Sequence, residues 1–370
     1  MLTSTTRKKG SGAKVLLPFF LSLWLLGCQS SQQASPWAYE HHIQTPKPGI
    51  QDNIIFLEAR LKKRPRAYLE QAELAGLYLQ RAKSGHHDHQ DIKLAKSWLQ
   101  RSLAEFESPQ ALIVQADYFQ MVHQFPESLE NLNKALKLDP KNLGAQALKA
   151  RVCLAKGDIK QAEQVLAPLA GSPLASIIFL QGQLQESLKH TDKARELYRR
   201  AISLEASSDS PSESARMRAV LARLEMKVGR DEQAWPLLEA ALSIPVDQPL
   251  TSLLKADWLY RNSKEEQAKE LLRSGHLRYH DPRFLLRLGE FQQELGETGL
   301  AKRSWLEASE ELRHHLLGHE WDLALALFYL SPQGNAEEIR ELMTRELERR
   351  QDPETLRIRD LVIPQKAQNL

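Results

Sequence analysis

The sequence predicts an all-α solenoid, in which helical hairpins of similar length follow one another along the chain. Three observations predict it: pairs of small residues twelve positions apart, a spacing near 34 residues between successive pairs, and turn residues between the two members of a pair. Two helices cross closely where both carry Gly, Ala or Ser, so each pair predicts the crossing point of one hairpin. The seven pairs are Ala116 with Ser128, Ala150 with Ala162, Gly182 with Ala194, Ala222 with Ala234, Ala256 with Ala268, Gly289 with Ala301, and Ala324 with Ala336.

The repeat extends beyond these pairs, whose first members stand 34, 32, 40, 34, 33 and 35 residues apart. A large residue follows the second small residue by four positions, and a mostly small residue follows three positions later. We expect the large residues to fill the layer between neighbouring hairpins. They are Leu132, Leu166, Tyr198, Leu238, Leu272 and Trp305. The later positions are Ala135, Ala201, Ala241, Gly275 and Ala308, with Leu169 as the exception. Gly157, Gly229 and Gly296 indicate the turn between the two helices of a hairpin.

Both ends of the repeat region are less regular. An additional N-terminal hairpin fits if Gly76 pairs with Ala95, at the cost of a seven-residue insertion around Ser84 to Gln90. The 40-residue step holds a polar insert from Ser207 to Ser214. The last hairpin has Arg340 at its large position, so we expect this hairpin to cap the stack.

This pattern resembles the tetratricopeptide repeat (TPR). The residues that carry the resemblance in one unit are Leu285, Leu288, Gly289, Gly296, Ala301, Trp305 and Ala308. The resemblance covers residues 66–350 and implies a right-handed superhelical solenoid of about eight TPR-like helical hairpins. It also implies a scaffold that binds other proteins rather than an enzyme. The sequence departs from the family pattern at Gln185, Glu225 and Gln292, where an aromatic residue is usual.

In this family the first helix of each hairpin lines the inner wall of the superhelix. The resemblance implies that the residue directly after the first small residue of each pair faces this wall. By the same resemblance, the residue four positions after the first small residue, such as Tyr260 after Ala256, faces it as well. The candidates at the first position are Asp117, Arg151, Gln183, Arg223, Asp257 and Glu290. This mixed polar wall with aromatic points suits an extended segment or a helix of another protein. A merely solvated face is the alternative. None of the six is Asn, which family members that clamp a C-terminal carboxylate carry there, so that activity is not expected.

Residues 1–27 have the layout of a secretory signal peptide. Four basic residues precede an apolar run from Val15 to Leu26, which is shorter than the roughly 20 residues of a spanning helix. The run ends in Leu25-Leu26-Gly27-Cys28, which resembles the lipobox of bacterial lipoproteins and implies cleavage before Cys28 and acylation of that cysteine. Asp after the cysteine usually retains lipoproteins at the inner membrane. Since Gln29 stands there, the resemblance implies the periplasmic face of the outer membrane.

We therefore expect four segments along the chain. They are the signal peptide at 1–27, a lipidated cysteine with a flexible tether at 28–50, the TPR solenoid at 51–350, and a C-terminal cap or tail at 351–370. The tether is rich in Gln, Ser, Pro and His and has no apolar periodicity.

The net charge of the chain limits its possible binding partners, and its cysteine content limits its possible disulfides. The chain has 50 Lys and Arg against 47 Asp and Glu, and removal of residues 1–27 takes away four positive charges, which leaves the mature chain near −1. A chain of this charge lacks the broad basic surface that binds phosphates, so nucleic acid is not expected as a partner. With Cys28 acylated, Cys153 has no partner for a disulfide, and we expect a small buried hydrophobe.

Two histidine clusters are the candidates for metal chemistry. His315 and His319 share a helix face beside His314 and Glu320, but Leu323 stands where the zincin motif needs its second histidine. The second cluster, His86, His87, Asp88 and His89, lies in the inserted turn, where a solvated loop is the simpler interpretation.

The favoured function is a lipid-anchored scaffold that holds other envelope proteins, for assembly of a pilus or secretion machine or for docking of wall enzymes. We expect no catalysis, no cofactor and no metal. The alternatives are a membrane-tethered metal-dependent hydrolase that uses the histidine clusters, and a self-assembling structural protein.

Overall fold

The computed structural model describes residues 49–83, 89–205, 211–314 and 320–363, and within these ranges the chain forms helices and turns without a β-strand. The prediction of an all-α solenoid is confirmed. Residues 1–48, which include the expected signal peptide, Cys28 and most of the tether, lie outside the described residues.

Within the described residues, eight helical hairpins follow helix α1 (Ile50–Lys63), and helix α18 (Pro353–Val362) follows the last of them. The first helices of the hairpins are α2 (Tyr68–Lys83), α4 (Pro109–Met121), α6 (Leu143–Lys156), α8 (Ala175–Ser187), α10 (Pro211–Lys227), α12 (Pro249–Arg261), α14 (Arg283–Glu294) and α16 (Glu320–Leu330). The second helices are α3 (His89–Glu105), α5 (Phe125–Leu138), α7 (Ile159–Leu166), α9 (Thr191–Glu205), α11 (Asp231–Leu242), α13 (Glu265–Tyr279), α15 (Thr298–His314) and α17 (Ala336–Arg349).

Left-handed glycines form the turns inside the hairpins. Gly157 follows α6 at φ 85°, and Gly229 and Gly296 follow α10 and α14 at φ 76° and 78°. These angles favour glycine because a Cβ would meet the backbone. Asp158 then begins α7 by accepting a hydrogen bond from Gln161 N at 3.1 Å, which satisfies an N–H that the helix start leaves free. The turns predicted at these glycines are confirmed.

Six of the seven small pairs, from Ala116 with Ser128 to Gly289 with Ala301, are buried where the two helices of a hairpin cross, as predicted. A Cβ on Gly182 would lie 2.6 Å from the Tyr198 ring, and a Cβ on Gly289 would collide with the Trp305 indole. In the hairpin of α4 and α5, Ser128 Oγ donates a hydrogen bond of 2.8 Å across the crossing to the carbonyl of Ala116. The large residues four positions after the second small residue are all buried, with exposed fractions of 3% or less.

Two predicted positions are wrong. Gly76 does not face α3: an added Cβ there would contact Val114 of α4 at 3.7 Å, while the neighbouring Ala75 is fully buried. Ala336 is exposed in the first turn of α17. Ile339 and other apolar residues of α17 are buried instead. Both errors lie in the terminal hairpins. In the first hairpin the insertion shifts the register that the twelve-residue spacing implies. In the last hairpin the amphipathic stripe of α17 shifts it.

The hairpins stack so that their first helices lie on the concave side. Most successive first helices pack against one another, as α2 does on α4 and α12 on α14, whereas the second helices pack on the first helix of the next hairpin. A curved stack is tighter on its inner side, so the first helices line the inside of the curve. At the far end, α18 packs on α16 and α17 and buries Ile358 and Val362 against the last hairpins.

No described helix is both long enough and apolar enough to cross a bilayer.

The C-terminal corner buries a carboxylate. Glu346 on α17 is fully buried, and burial raises its pKa to about 7, although Arg350 acts in the opposite direction. Glu320 and Asp322 on α16 also raise this pKa, and Arg349 lowers it. Arg350 Nε lies 2.6 Å from Glu346 Oε1 but not in hydrogen-bond geometry, and neither oxygen of Glu346 accepts a hydrogen bond from a described residue.

Gly289→Ala tests the crossing. We expect the variant to lose about 1–3 kcal/mol of unfolding free energy, because the new methyl group has no space beside Trp305. Gly299→Ala is the matched control, since Gly299 lies in the first turn of α15 with no atom within 4 Å of an added Cβ. Its stability should stay equal or rise. Chemical denaturation followed by circular dichroism measures both, and equal stability of the two variants would contradict the crossing.

Glu346→Gln tests the buried carboxylate. The pKa of Glu346 is raised from 4.5 to about 7 in the folded chain, so the neutral form is favoured by folding. The stability that this provides is present below pH 4.5 and is lost as the pH rises through 7. Melting temperatures between pH 4 and pH 8 should fall less steeply in the glutamine variant than in the natural chain. Parallel curves would show that Glu346 ionises normally.

Candidate functional site

The candidate site is the inner wall, meaning the side of the first helices α2, α4, α6, α8, α10, α12, α14 and α16 that faces the inside of the curve. The seven wall residues expected from the sequence all lie on these helices. They are Asp117 on α4, Arg151 on α6, Gln183 on α8, Arg223 on α10, Asp257 and Tyr260 on α12, and Glu290 on α14. Arg223 is exposed and the other six are partly buried.

Ion pairs join successive first helices across the C-terminal half of the wall. Arg287 on α14 donates through Nε to Asp257 Oδ1 at 2.6 Å and through a second nitrogen to Glu290. Glu290 also accepts a hydrogen bond of 2.8 Å from the hydroxyl of Tyr329 on α16. Burial raises the pKa of Asp257, and Arg287 opposes this rise. Two of the expected residues therefore lie in one network that links three consecutive hairpins.

A stacked aromatic pair lies beside this network. The ring of Tyr260 stacks on Phe291 with centroids 3.9 Å apart and planes 11° apart. The Arg287 guanidinium also lies against this pair, 4.6 Å from the centre of the Phe291 ring. Burial, and a hydrogen bond to Glu294, raise the pKa of Tyr260 to about 12, so its hydroxyl remains protonated at neutral pH. Phe291 is fully buried and Tyr260 is partly exposed, so Tyr260 is the ring of this pair that a partner can contact.

Glu186 on α8 is the centre of a second group of ion pairs. Its carboxylate accepts a hydrogen bond of 2.8 Å from Tyr198 and lies 3.4 Å from the Arg223 guanidinium of the next first helix. Lys227 lies 4.0 Å away. Arg223 is held weakly and 48% of its side chain is exposed, so it can still reach a bound partner.

The N-terminal part of the wall holds an arginine that pairs with no described residue. Lys83 on α2 pairs with Asp117 on α4 at 2.5 Å, and Arg216 on α10 pairs with Glu213 at 2.6 Å. Arg151 on α6 lies between these pairs and has no hydrogen bond or ion pair with a described residue, and its Nε is fully buried. Burial lowers the pKa of Arg151, and the positive charge of Arg216 adds to this effect.

The charged groups of the wall change in balance along its length. From α2 to α10 the cations Lys83, Arg151, Arg216 and Arg223 stand against Asp117, Glu186 and Glu213. From α12 to α14 the carboxylates Asp257, Glu290 and Glu294 stand against Arg287. The wall is therefore more basic toward its N-terminal half and more acidic toward its C-terminal half.

Sequence reasoning missed the partners of the expected residues. Arg287 and Tyr329 contact wall residues across hairpin boundaries, and the separation in sequence reaches 39 residues for Tyr329 and Glu290. The sequence signal that could have predicted these pairs is an arginine about one repeat away from an acidic residue. Asp257 and Arg287, for example, are 30 residues apart.

The structure describes only part of the two histidine clusters. His314 is exposed at the end of α15, and Glu320 is buried and pairs with Arg349. His315, His319 and residues 84–88 lie outside the described residues. A different group, His276 with Glu307 and Glu311, brings three potential metal ligands within 4.8 Å of one another on second helices. In that group, His276 already pairs with Glu311 at 3.0 Å.

Cys153 is buried, as predicted, and its thiol lies 3.0 Å from Gln161 Oε1. Burial raises the pKa of this thiol to about 11, so it remains protonated. It has the character of a core residue rather than of a nucleophile.

Two family models match the chain in its central part. Residues 122–172 and 175–208 each match a model described as tetratricopeptide repeat. No curated protein matches the sequence.

Several solved structures are similar in fold. A tetratricopeptide repeat protein from Parabacteroides merdae has a TM-score of 0.50 and 14% identity, over 68% of this chain and 92% of that one. A human IFIT1 dimer with m7Gppp-AAAA has a TM-score of 0.57 and 17% identity, over 80% and 76% of the two chains. The Cut9–Hcn1 hetero-tetramer of the APC/C has a TM-score of 0.55 and 16% identity, over 86% of this chain but only 61% of that chain's length. At these identities the likeness is one of fold.

Proposed function

We propose that this chain, which is a tetratricopeptide-repeat protein, is a scaffold that holds a segment of another protein against its inner wall. The first helices supply a polar surface that includes Tyr260, which is partly exposed and stacks on the buried Phe291. Such a surface suits an extended segment or a helix, because interface energy concentrates in arginine and aromatic anchors. The proposal assigns the chain no catalytic step.

The observation that carries the proposal is Arg151, whose guanidinium has no hydrogen bond or ion pair with a described residue and whose Nε is buried. A buried donor without an acceptor costs about 1–3 kcal/mol, so folded chains rarely keep one without a reason. Asp117 and Glu213 attract Arg151 from a distance but are already paired with Lys83 and Arg216. A carboxylate of a bound segment would complete the hydrogen bonds of Arg151. We infer that the segment carries acidic side chains where it passes α6.

The second part of the proposal concerns location. We propose that Cys28 is acylated after cleavage of residues 1–27 and that the solenoid lies at the periplasmic face of an outer membrane. The support is the sequence Leu25-Leu26-Gly27-Cys28 at the end of a short apolar run, with Gln29 after it. A lipid anchor with two or more acyl chains holds a protein stably at a membrane. The partners would then be envelope proteins, as in assembly of a pilus or secretion machine or in docking of wall enzymes.

Charge reversal on the wall tests the binding proposal. We expect Arg151→Glu with Arg223→Glu to lose the partners that the natural chain captures from detergent-solubilised envelopes, because two cations that face the segment become anions. The measurement is quantitative mass spectrometry of the captured proteins. Arg200→Glu with Arg303→Glu is the matched control, since it makes the same charge change at exposed positions of the second helices α9 and α15.

Folding must be equal for the comparison to count. Circular dichroism should give the same helicity for both double variants, and Arg151→Gln replaces Arg151→Glu if it does not. Retention of every partner by a folded wall variant, or loss of the same partners from the control, would overturn the inner wall as the binding surface.

Substitution of Cys28 tests the anchor. We expect Cys28→Ser to leave an uncleaved precursor or to release the chain from membranes, because no thiol remains for acylation. Fractionation and intact mass of the protein from cells measure this. The same mass and the same membrane fraction for both chains would contradict acylation at Cys28.

A further inference from the structure

We propose that the solenoid is closed on itself by a latch, defined as the contact of Lys156 and Gly157 with Gln351 and Asp352. In the latched state the partner segment enters the concave space along its axis and is a single extended chain or helix, not a folded domain that docks from the side. The statement about the partner depends on the proposed function of the inner wall. The latch itself depends only on the contacts described below.

The latch joins two distant parts of the chain by their backbones. Gln351 N donates a hydrogen bond of 2.7 Å to the carbonyl of Lys156. Lys156 ends α6 in the third hairpin, and Gln351 follows α17 in the eighth. The contact therefore closes a loop of six consecutive hairpins, from that of α6 and α7 to that of α16 and α17.

Gly157 allows the two backbones to approach this closely. A Cβ at this position would lie 2.5 Å from the carbonyl carbon and oxygen of Gln351 and 2.8 Å from Asp352 N. Gly229 and Gly296 occupy the equivalent turns of later hairpins with similar positive φ, and an added Cβ on either has no atom within 4 Å. The turn conformation requires glycine in all three hairpins, but the latch requires it only at Gly157.

The C-terminal side of the latch is fixed to the last hairpin. The Arg350 guanidinium lies 5.4 Å from the centre of the Trp321 ring, and Arg350 Nε lies 2.6 Å from Glu346. On the other side, Asp352 accepts hydrogen bonds from the backbone N and the hydroxyl of Thr355, at 3.2 and 2.6 Å, in the first turn of α18. Residues 350–352 therefore form an ordered corner between two packed helices rather than a loose tail.

The latch lies near the basic part of the wall. Arg151 and Gly157 are separated by six residues of α6 and its turn, which corresponds to roughly 9 Å along a helix axis. A partner that reaches Arg151 from the side would have to pass between the third and eighth hairpins, where the latch joins them. One backbone hydrogen bond between partly exposed segments contributes little to stability in water, so the latch can open and close while the hairpins remain folded.

Distance measurement on the whole chain in detergent tests the latch without any partner. Spin labels are attached to cysteines introduced at the exposed Lys160 and Glu348, one on each side of the contact. The natural latch should give a short, narrow distance distribution. Gly157→Ala should give a longer and broader one, because its methyl group collides with Gln351. Gly229→Ala imposes the same local strain without a collision and should leave the distribution unchanged.

A second variant removes the latch from the other side. Gln351→Pro deletes the N–H that donates to Lys156 and leaves α6 untouched. Arg350, at φ −147° and ψ 151°, already has the extended backbone that precedes a proline. This variant should also lengthen the distance. Unchanged distances in both Gly157→Ala and Gln351→Pro, with circular dichroism equal to that of Gly229→Ala, would overturn the latch.

Partner kinetics then test the direction of access. If the latch restricts access, a partner identified by its dependence on Arg151 should associate several-fold faster with Gly157→Ala than with Gly229→Ala. Equal association rates, with a lengthened distance in Gly157→Ala, would overturn the axial path while leaving the latch in place. Loss of binding in the wall variants is a separate measurement, so failure of the latch and failure of the wall are distinguishable.

Discussion

The close crossing of two helices at a pair of small residues is the constraint on which the solenoid depends. At Gly182 and Gly289 the facing ring of the second helix occupies the space of a Cβ. This approach brings the large residues of each second helix into the layer shared with the next hairpin, where they are buried. Since each hairpin buries its apolar face only against its neighbours, the crossing angle repeated along the chain produces a curved stack with the first helices inside.

The curvature determines which charges meet. Residues one repeat apart in sequence lie side by side on the inner wall, so Asp257 reaches Arg287 and Glu186 reaches Arg223. These pairs neutralise much of the wall and hold its side chains in position before any partner arrives. Arg151 is the exception, since the acids nearest to it are held by other cations. Because no described residue satisfies the buried Nε of Arg151, we assign binding to this region rather than to the wall at large.

Curvature also brings the last hairpin of the stack to the third. After six hairpins the chain contacts the end of α6 again. Gly157 lies there, and because glycine has no side chain, the two backbones can approach closely. Nearby, the buried Glu346 prefers its neutral form, because burial outweighs the attraction of Arg350. The corner that carries Gln351 thus combines tight packing with a carboxylate that resists ionisation, whereas the wall pairs nearly all of its ions.

The sequence by itself predicted the all-α class and about eight hairpins. Spacing of small residues depends on contacts within one hairpin, so the pairs from Ala116 to Ala301, the turns at Gly157, Gly229 and Gly296, and the burial of Cys153 were all predictable. The same spacing misplaced Gly76 and Ala336, because an insertion and an end without a following hairpin break the local rule. The wall residues were placed on the right helices, but their partners were not predictable. Only the tertiary structure decided that Arg151 stays unpaired and that Gly157 meets Gln351, since both depend on how six hairpins add their rotations. The rotation between two neighbouring hairpins is small, and its sum over six hairpins cannot be predicted from the residues of any one segment.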